Sequence, residues 1–197
     1  MDPSDIAAAY DALAAKWQAD TPDTYGIDAL KRALRFAPAT GHALDVGCGS
    51  QGRFMDALRD HGFITEGLDI SPEMIALAAK RNPEAHFHTG DICTWELPRA
   101  YDFISAWDST FHLPLTQQQP VLEKLCAGLN PGGILLFTCG GGEASEITGN
   151  FGGQRLGYST LGPEKFVAIL HACGCQCLHL EYDQYPEKHV YIIARKA

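Results

Sequence analysis

The spacing of apolar residues changes along the chain from a helical repeat to short apolar runs. In the first segment apolar side chains recur every three or four residues, which predicts a helix over residues 4–19 and another over residues 24–36. The second helix ends before Pro38, because a residue that precedes proline disfavours helical backbone. The sequence therefore predicts an amino-terminal helical segment over residues 1–38.

Short apolar runs alternate with helical stretches from residue 43 to residue 138. Ser71, Pro72 and Glu73 give the clearest helix start, because they place a capping hydroxyl, a proline and an early acid in sequence. Strands that alternate with helices predict a parallel sheet covered on both faces. The predicted strands are residues 43–46, 64–68, 85–88, 101–105 and 134–138, and the predicted helices are residues 52–61, 72–81 and 117–129.

The last third of the chain departs from this alternation. Its many glycines predict an irregular excursion over residues 140–160, on the side where a substrate would bind. Glu143 and Tyr158 flank this excursion, either as acceptor contacts or as exposed loop residues. The elements predicted after it are a helix that begins at Pro163 and two antiparallel strands over residues 175–181 and 188–194.

Length and composition indicate one ordinary globular domain. The chain has 197 residues, of which 46% are hydrophobic and 20% are charged. This length is enough for one core and short for two. A formal net charge of −9 without clustered lysines or arginines argues against a nucleic acid or an anionic membrane, because binding a polyanion needs grouped cations. We expect a small-molecule partner, and the sequence predicts no oligomeric state.

Cellular location and cysteine chemistry are predicted from the same sequence. Residues 1–5 are acidic where a secretory signal is basic, and no apolar stretch reaches the ~20 residues of a membrane span, so we expect a cytoplasmic protein. The 7 cysteines are then free thiols and small core residues. Cysteines and histidines between residues 171 and 179 have strand spacing rather than the usual zinc spacing, and we predict no metal site.

A glycine-rich turn follows the first predicted strand. Gly47, Gly49 and Gly52 match the G-x-G-x-x-G pattern between a strand and a helix, where glycine lets the backbone approach a ligand closely. A plain turn between a strand and a helix has the same composition. Asp69 ends the next strand, about 20 residues further on, where an acid either accepts hydrogen bonds from ribose hydroxyls or caps the following helix.

An acidic residue before the glycines distinguishes two classes of cofactor. Asp45 would repel a pyrophosphate, whereas it would stabilise a sulfonium or ammonium group. A cationic ligand is therefore favoured over a nicotinamide dinucleotide, although the glycine turn and Asp69 suit both.

Four motifs in order resemble those of class I S-adenosylmethionine-dependent methyltransferases, over residues 43–138. The resemblance implies a Rossmann-like, doubly wound α/β fold with a seven-stranded sheet, mostly parallel with an antiparallel last strand. In many members the third glycine stands one residue earlier than Gly52, which leaves the path of the turn open. The motifs are Leu44-Asp45-Val46-Gly47-Cys48-Gly49, Gly67-Leu68-Asp69-Ile70-Ser71-Pro72-Glu73-Met74, Gly90-Asp91-Ile92 and Leu129-Asn130-Pro131-Gly132-Gly133.

The resemblance also implies roles for individual residues. Gly47 and Gly49 would lie beside the methionine moiety and Asp69 beside the ribose. Asp91 and Ile92 would surround the adenine. The predicted contacts of S-adenosylmethionine, and of its product S-adenosylhomocysteine, are Tyr10, Trp17, Tyr25, Asp45, Gly47, Cys48, Gly49, Asp69, Ile70, Met74, Gly90, Asp91, Ile92 and Trp107.

Candidate groups for the acceptor side follow the fourth predicted strand. His112 would deprotonate an acceptor, since the pKa of an unperturbed histidine lies near neutrality, or would bind backbone within its loop. Asp108 would contact the acceptor or cap the following turn. The resemblance to similar small enzymes implies that residues 1–38 form an amino-terminal helical lid. From this lid, Tyr10, Trp17 and Tyr25 either close over the cofactor or serve packing alone.

The sequence thus predicts an enzyme that moves a methyl group from S-adenosylmethionine to a small molecule by in-line displacement, in which positioning supplies much of the catalysis. One alternative is a regulatory module that binds S-adenosylmethionine or S-adenosylhomocysteine without chemistry, since its cofactor motifs would be identical. Another is an NAD(P)-dependent oxidoreductase, which leaves Asp45 and the later motifs unexplained.

Overall fold

The computed structural model of the protein describes residues 1–20, 22 and 24–197, without the side chains of residues 18–20. The helices of this part are α1 (Pro3–Asp20), α2 (Ile27–Leu34), α3 (Arg53–His61), α4 (Pro72–Arg81), α5 (Leu115–Ala127) and α6 (Pro163–Ala172). The strands are β1 (Gly41–Val46), β2 (Phe63–Asp69), β3 (His86–Thr89), β4 (Tyr101–Ala106), β5 (Leu129–Gly140), β6 (Ser145–Phe151), β7 (Gln154–Thr160), β8 (Cys175–Glu181) and β9 (His189–Lys196).

Seven strands form one mixed sheet in the order β3-β2-β1-β4-β5-β9-β8. Strands β1 to β5 are parallel, and β9 is antiparallel to both of its neighbours, β5 and β8. Because β9 is the last strand of the chain, the predicted mostly parallel sheet with an antiparallel last strand is confirmed. The chain winds outward in opposite directions from β1 and β4, which makes the gap between these two strands the topological switch point.

Side chains that alternate along β5 show how both faces of the sheet are buried. Ile134 and Leu136 pack with residues of α2 and α3, whereas Leu135 and Phe137 pack with residues of α5 and α6. All four are buried. A strand covered on both faces is a continuous apolar run, which is why this segment shows no polar alternation.

Most predicted elements agree with the structure to within a few residues. Helix α4 has the predicted bounds, because Ser71 Oγ accepts the N–H of Met74 at 3.1 Å and Pro72 begins the helix. Strand β8 also has the predicted bounds. Strand β5 is longer than predicted at both ends, since it pairs with β4 from Leu129 and with β9 as far as Gly140.

The glycine-rich segment contains a β-hairpin, so the prediction of an irregular excursion over residues 140–160 is wrong. Strands β6 and β7 pair antiparallel up to Phe151 and Gln154. Gly152 and Gly153 form the turn with φ of 58° and 86°, and a two-residue turn of type I′ requires positive φ at both positions. Glycine is uncommon in strands, which obscured the pattern, although a Gly-Gly pair that separates two extended segments is itself a hairpin signal.

Helix α1 packs against the hairpin and against α4. Ile6 and Ala9 are buried together with Leu156 of β7. Ser71 Oγ donates to Asp11 Oδ1 at 2.5 Å, which ties the amino-terminal end of α4 to α1. The first helix is therefore attached to two separate elements beside the sheet.

Replacing Gly152 by alanine should destabilise the hairpin and its contact with α1. The added Cβ would lie 2.5 Å from Leu13 Cδ2. Alanine at a positive φ costs a further ~1–2 kcal/mol. At Gly142, which is not left-handed, the nearest atom to an added Cβ lies at 3.5 Å, so Gly142→Ala is the matched control. In urea unfolding we expect a loss of about 1–3 kcal/mol for Gly152→Ala and much less for the control. Equal losses of unfolding free energy in Gly152→Ala and Gly142→Ala would contradict a left-handed turn at Gly152.

Candidate functional site

The carboxyl ends of β1 to β4 meet at one edge of the sheet, beside the switch point. The loops that leave these ends carry the glycine turn, Asp69, the segment 90–92 and the segment 107–112. Ligands of doubly wound sheets bind in the crevice outside this edge. The fold therefore brings four distant segments together where a ligand is expected.

The backbone of β2 holds the glycine turn that follows β1. The N–H groups of Gly47 and Cys48 donate to the carbonyl of Leu68 at 2.7 and 3.1 Å. Gly47 has a φ of 73°, and a Cβ there would lie 2.3 Å from the Cβ of Ser109. Glycine is required at this position both by the backbone conformation and by the close approach of the loop after β4.

The carboxylate of Asp69 joins the glycine turn to α4. Its Oδ2 accepts the N–H of Gly49 at 2.8 Å, and its Oδ1 accepts the N–H of Ser71 at 2.9 Å. Burial raises the pKa of Asp69, and the backbone hydrogen bonds oppose that rise. Each carboxylate oxygen can accept another hydrogen bond. The two interpretations of Asp69, as a support for the helix start and as a ligand group, are therefore compatible.

A first cavity lies between this edge of the sheet and α1. Pro3 and Ile6 of α1 belong to its walls. The predicted cofactor contacts other than Tyr25 line this cavity together with Asp108 and His112. They are Tyr10, Trp17, Asp45, Gly47, Cys48, Gly49, Asp69, Ile70, Met74, Gly90, Asp91, Ile92 and Trp107. The positions that sequence motifs singled out thus form one continuous surface.

The first cavity is predominantly acidic. The carboxylates of Asp45, Asp69, Asp91 and Asp108 line it together with the guanidinium of Arg53. Asp45 is 5% exposed and accepts the hydroxyl of Ser105 at 2.7 Å. Burial raises the pKa of Asp45 to about 6, although this hydrogen bond and Arg53 oppose the rise. A cationic ligand would favour the ionised form of Asp45.

A second cavity adjoins the first, with which it shares Tyr10, Trp17, Asp108 and His112. Tyr25, which was predicted to contact the cofactor, lies on this second cavity. Its aromatic lining consists of Tyr10, Trp17, Tyr25, Phe111, Phe151 and Tyr158. Two adjoining cavities with common walls can hold two reactants next to each other.

His112 lies between the two cavities as a neutral imidazole. Its Nδ1 donates to the carbonyl of Gly157 at 2.7 Å, which leaves Nε2 to accept the hydroxyl of Tyr10, also at 2.7 Å. Burial lowers the pKa of His112, despite the Gly157 carbonyl and the charge of Asp108. His112 thus binds backbone, and its basic nitrogen is connected to the cavities through Tyr10.

Asp108 follows β4 with both oxygens of its carboxylate hydrogen-bonded. Its Oδ2 accepts the hydroxyl of Tyr25 at 2.7 Å, and its Oδ1 lies 2.8 Å from Nε2 of His189. Its backbone N–H donates to Thr138 Oγ1 at 2.8 Å. Asp108 also has a φ of 51°, in the left-handed region that aspartate tolerates better than most residues. Its carboxylate is bound to side chains rather than to the following turn.

Sequence reasoning missed some residues of the two cavities and of their surroundings. Arg53 lines the first cavity, and its Nε donates to the carbonyl of Tyr25 at 2.8 Å. Its position directly after Gly52 was a signal that could have identified it. For His189 the sequence left two interpretations open, a side chain that reaches the pocket or one that faces water. The pairing of β9 with β5 brings it to Asp108, 81 positions away, a contact that no local pattern indicates.

The cysteine-rich segment contributes to the core, since Cys175 lies on β8 and is buried there. Within the described part of the chain, no group of three histidine, cysteine, aspartate or glutamate side chains is placed to hold a metal ion. None of the described helices has the length and apolar character needed to cross a bilayer.

A doubly wound sheet with an acidic cavity at its switch point is typical of enzymes that bind an adenosine cofactor. Residues 17–145 match the model of the methyltransferase domain family, which is more than half of the chain. The chain therefore belongs to the methyltransferase domain family. The resemblance to S-adenosylmethionine-dependent methyltransferases is confirmed, and the membership disfavours an NAD(P)-dependent oxidoreductase.

Curated relatives include both N- and O-methyltransferases. The chain is 33% identical over 104 residues to dTDP-3-amino-3,6-dideoxy-alpha-D-glucopyranose N,N-dimethyltransferase of Streptomyces fradiae, covering 52% of this chain and 40% of the relative. It is 31% identical over 158 residues to phosphoethanolamine N-methyltransferase of Plasmodium falciparum, covering 75% of this chain and 59% of the relative. The ubiquinone biosynthesis O-methyltransferase of Coxiella burnetii is 31% identical over 135 residues, covering 66% of this chain and 52% of the relative. The chain spans about half the length of these relatives.

Solved structures share the fold over almost the whole chain. DhpI in complex with S-adenosylhomocysteine has a TM-score of 0.76 at 20% identity, covering 99% of this chain and 97% of that one. Magnesium protoporphyrin IX methyltransferase from Synechocystis with bound S-adenosylmethionine has a TM-score of 0.77 at 15% identity, covering 100% and 98%. These likenesses confirm the predicted Rossmann-like fold.

Replacing Asp45 by asparagine should stabilise the ligand-free protein above pH 6. The folded-state pKa of about 6 exceeds the value of about 4 in an unfolded chain, so the native protein loses stability as pH rises through this interval, by up to about 3 kcal/mol. Asparagine still accepts the Ser105 hydroxyl. In urea unfolding, the free energy of unfolding of Asp45→Asn should exceed that of the unaltered protein at pH 8, and the two should be almost equal at pH 4. Asp60→Asn, at an exposed aspartate of α3, is the control. A gain of equal size at both pH values would contradict a raised pKa at Asp45.

Proposed function

We propose that the protein transfers the methyl group of S-adenosylmethionine to a small molecule. The observation that carries this proposal is that the cavity lined by the family motifs shares walls with a second, aromatic cavity. Methyl transfer by in-line displacement needs the acceptor opposite the departing sulfur, in contact with the methyl carbon. Adjoining cavities suit this requirement, whereas a module that only binds the cofactor does not need the second one.

The residues of the first cavity fit S-adenosylmethionine, which supplies an electrophilic methyl group when bound. Asp69 would accept the ribose hydroxyls, and Asp45 would face the cationic part. The Asp91 side chain, fixed by the Cys93 N–H at 2.9 Å, would meet the adenine. The buried hydroxyl of Ser109 lines the cavity and has no hydrogen-bond partner among the described residues, so a ligand can provide one.

Helix α1 and the hairpin would exclude water from the reacting groups. Trp17 packs edge to face on Tyr10 at 6.0 Å between ring centroids and on Phe151 of the hairpin at 5.7 Å. These contacts hold Trp17 between α1 and the hairpin, where it lines both cavities. We therefore propose that residues 1–38 act as a lid of one methyltransferase domain and that the segment 140–160 forms the acceptor side.

The acceptor in this proposal is a small molecule. The names of the relatives include acceptors methylated at nitrogen and at oxygen, so the relatives support a small acceptor without selecting its reacting atom. The net charge of −9 disfavours a nucleic acid substrate. The second cavity, next to the predicted position of the methyl group, is where we place the acceptor.

His112 is the proposed general base, with Tyr10 between it and the acceptor. A proton that leaves the acceptor would pass to the Tyr10 oxygen while the Tyr10 hydroxyl proton passes to His112 Nε2. Because burial lowers the pKa of His112, the imidazole is already neutral at pH 7 and can accept this proton. Asp108 would orient the acceptor from the opposite side of the shared wall.

S-adenosylhomocysteine should stabilise the protein, and NAD should not. A ligand at about 100 times its Kd adds about 2.7 kcal/mol to the free energy of unfolding. Asp69→Asn should weaken S-adenosylhomocysteine binding about tenfold or more, because an amide cannot accept hydrogen bonds at both terminal atoms. Calorimetric titration, with Asp60→Asn as control, measures this effect. Stabilisation by NAD and none by S-adenosylhomocysteine would refute the proposal.

His112→Ala should slow methyl transfer by about 10²–10⁴-fold while S-adenosylhomocysteine still binds. Tyr10→Phe should slow it as well, and the double variant should be little slower than the slower single variant, because the two groups act on one proton. The assay follows labelled methyl from S-adenosylmethionine into a small-metabolite extract. An unchanged rate in His112→Ala would remove His112 from the mechanism, and failure of the unaltered protein to label any compound would favour the binding module.

A further inference from the structure

The second cavity combines aromatic walls with one carboxylate. Six aromatic side chains surround it, from α1, the loop after β4 and the hairpin among others. Among the described residues that line it, the charged ones are Asp108 and Lys16. Lys16 is exposed on α1, whereas the side chain of Asp108 is only 14% exposed. The interior of the cavity is therefore negative.

The structure holds the carboxylate of Asp108 in a fixed orientation. Tyr25 donates to one oxygen at 2.7 Å and His189 to the other at 2.8 Å. The backbone N–H of Asp108 donates to Thr138 Oγ1 at 2.8 Å, which fixes the residue against β5. Each oxygen retains a lone pair for one more donor. Asp108 is thus preorganised to receive an N–H or O–H group.

His189 sets the charge of this group. Its Nε2 faces Asp108 Oδ1 at 2.8 Å, and its Nδ1 faces Asp183 Oδ1 at 2.6 Å. An ionised carboxylate only accepts, so hydrogen on both ring nitrogens, as in an imidazolium, satisfies both of these contacts, and they are shorter than the 3.2 Å from Nδ1 to Gln184 Nε2. Burial alone would lower the pKa of His189, but the hydrogen bonds and charges of Asp108 and Asp183 raise it. With an imidazolium, the group of Asp108, His189 and Asp183 carries a net charge of −1, and Asp108 is its member that lines the second cavity.

We propose that the second cavity selects an amine that arrives as an ammonium ion, with Asp108 as its anchor and His189 as a positioning residue. Aromatic faces attract a cation, and a buried carboxylate that keeps a net negative charge is stabilised by one. A neutral alcohol gains neither interaction, and an anion is repelled. This inference rests on the proposed function and names the acceptor class of the same site.

The amine nitrogen must lose a proton before it attacks. That proton passes through Tyr10 to His112, which frees the nitrogen lone pair. The nitrogen then forms a bond to the methyl carbon, the carbon–sulfur bond breaks with its electron pair on sulfur, and the products are a methylammonium ion and neutral S-adenosylhomocysteine thioether. His112 finally releases its proton to solvent, which balances the reaction.

Binding of matched probes to the protein saturated with S-adenosylhomocysteine tests the selection. Benzylamine, benzyl alcohol and benzoate have similar size and differ in charge. Calorimetric titration at pH 7 should give benzylamine an affinity about tenfold or more above that of the alcohol, with benzoate weakest. Asp108→Asn should reduce this preference to about threefold or less. His189→Gln should preserve or increase it, because glutamine retains a donor while the positive charge beside Asp108 is removed. The control variant Asp60→Asn should leave the preference for benzylamine over benzyl alcohol unchanged.

The outcomes separate the two proposals. If S-adenosylhomocysteine does not bind the unaltered protein, the proposed function fails and this inference fails with it. If S-adenosylhomocysteine binds and benzylamine binds no better than benzyl alcohol, or neither binds, only the selection of an amine is overturned. If Asp108→Asn keeps the full preference for benzylamine over benzyl alcohol, the selection of an amine is overturned as well. If that variant does not fold, the comparison of probes on the unaltered protein and on His189→Gln still decides.

Discussion

Two backbone N–H groups bind one buried carboxylate at the edge of the sheet, and the site is arranged around this interaction. Gly49 and Ser71 both donate to Asp69, which fixes the glycine turn relative to α4. Ser71 also caps α4 and donates to Asp11, so the same contacts extend to α1. A buried carboxylate is unfavourable unless it is well hydrogen-bonded. Asp69 therefore couples the floor of the first cavity to the helix that covers it.

The sheet and the first cavity were predictable because they depend on local patterns. The glycine turn, Asp69 and the segment 90–92 each follow a strand directly, and the parallel sheet then places them at one edge. The hairpin of β6 and β7 was missed because glycines interrupt its strands, although Gly152 and Gly153 carried the turn signal. Local rules thus identified residues that line the first cavity and misjudged one segment where glycines masked the strand pattern.

The acceptor side was less predictable because its contacts are distant in the sequence. His189 meets Asp108 only through the pairing of β9 with β5, and Tyr25 reaches the same carboxylate from the segment before α2. His112 was identified from its loop, but its bond to Tyr10 of α1 was not. These contacts create two cavities with common walls, so the second cavity depends on tertiary structure more than the first one does.

The central claim is that the cofactor presents its reactive end to the shared wall of the two cavities. A crystal structure of the protein with S-adenosylhomocysteine tests it most directly. We predict ribose hydroxyls hydrogen-bonded to Asp69, adenine beside Asp91, and the sulfur facing the wall formed by Tyr10 and His112. A sulfur atom that points away from the second cavity, or a ligand that does not contact Asp69, would contradict this account.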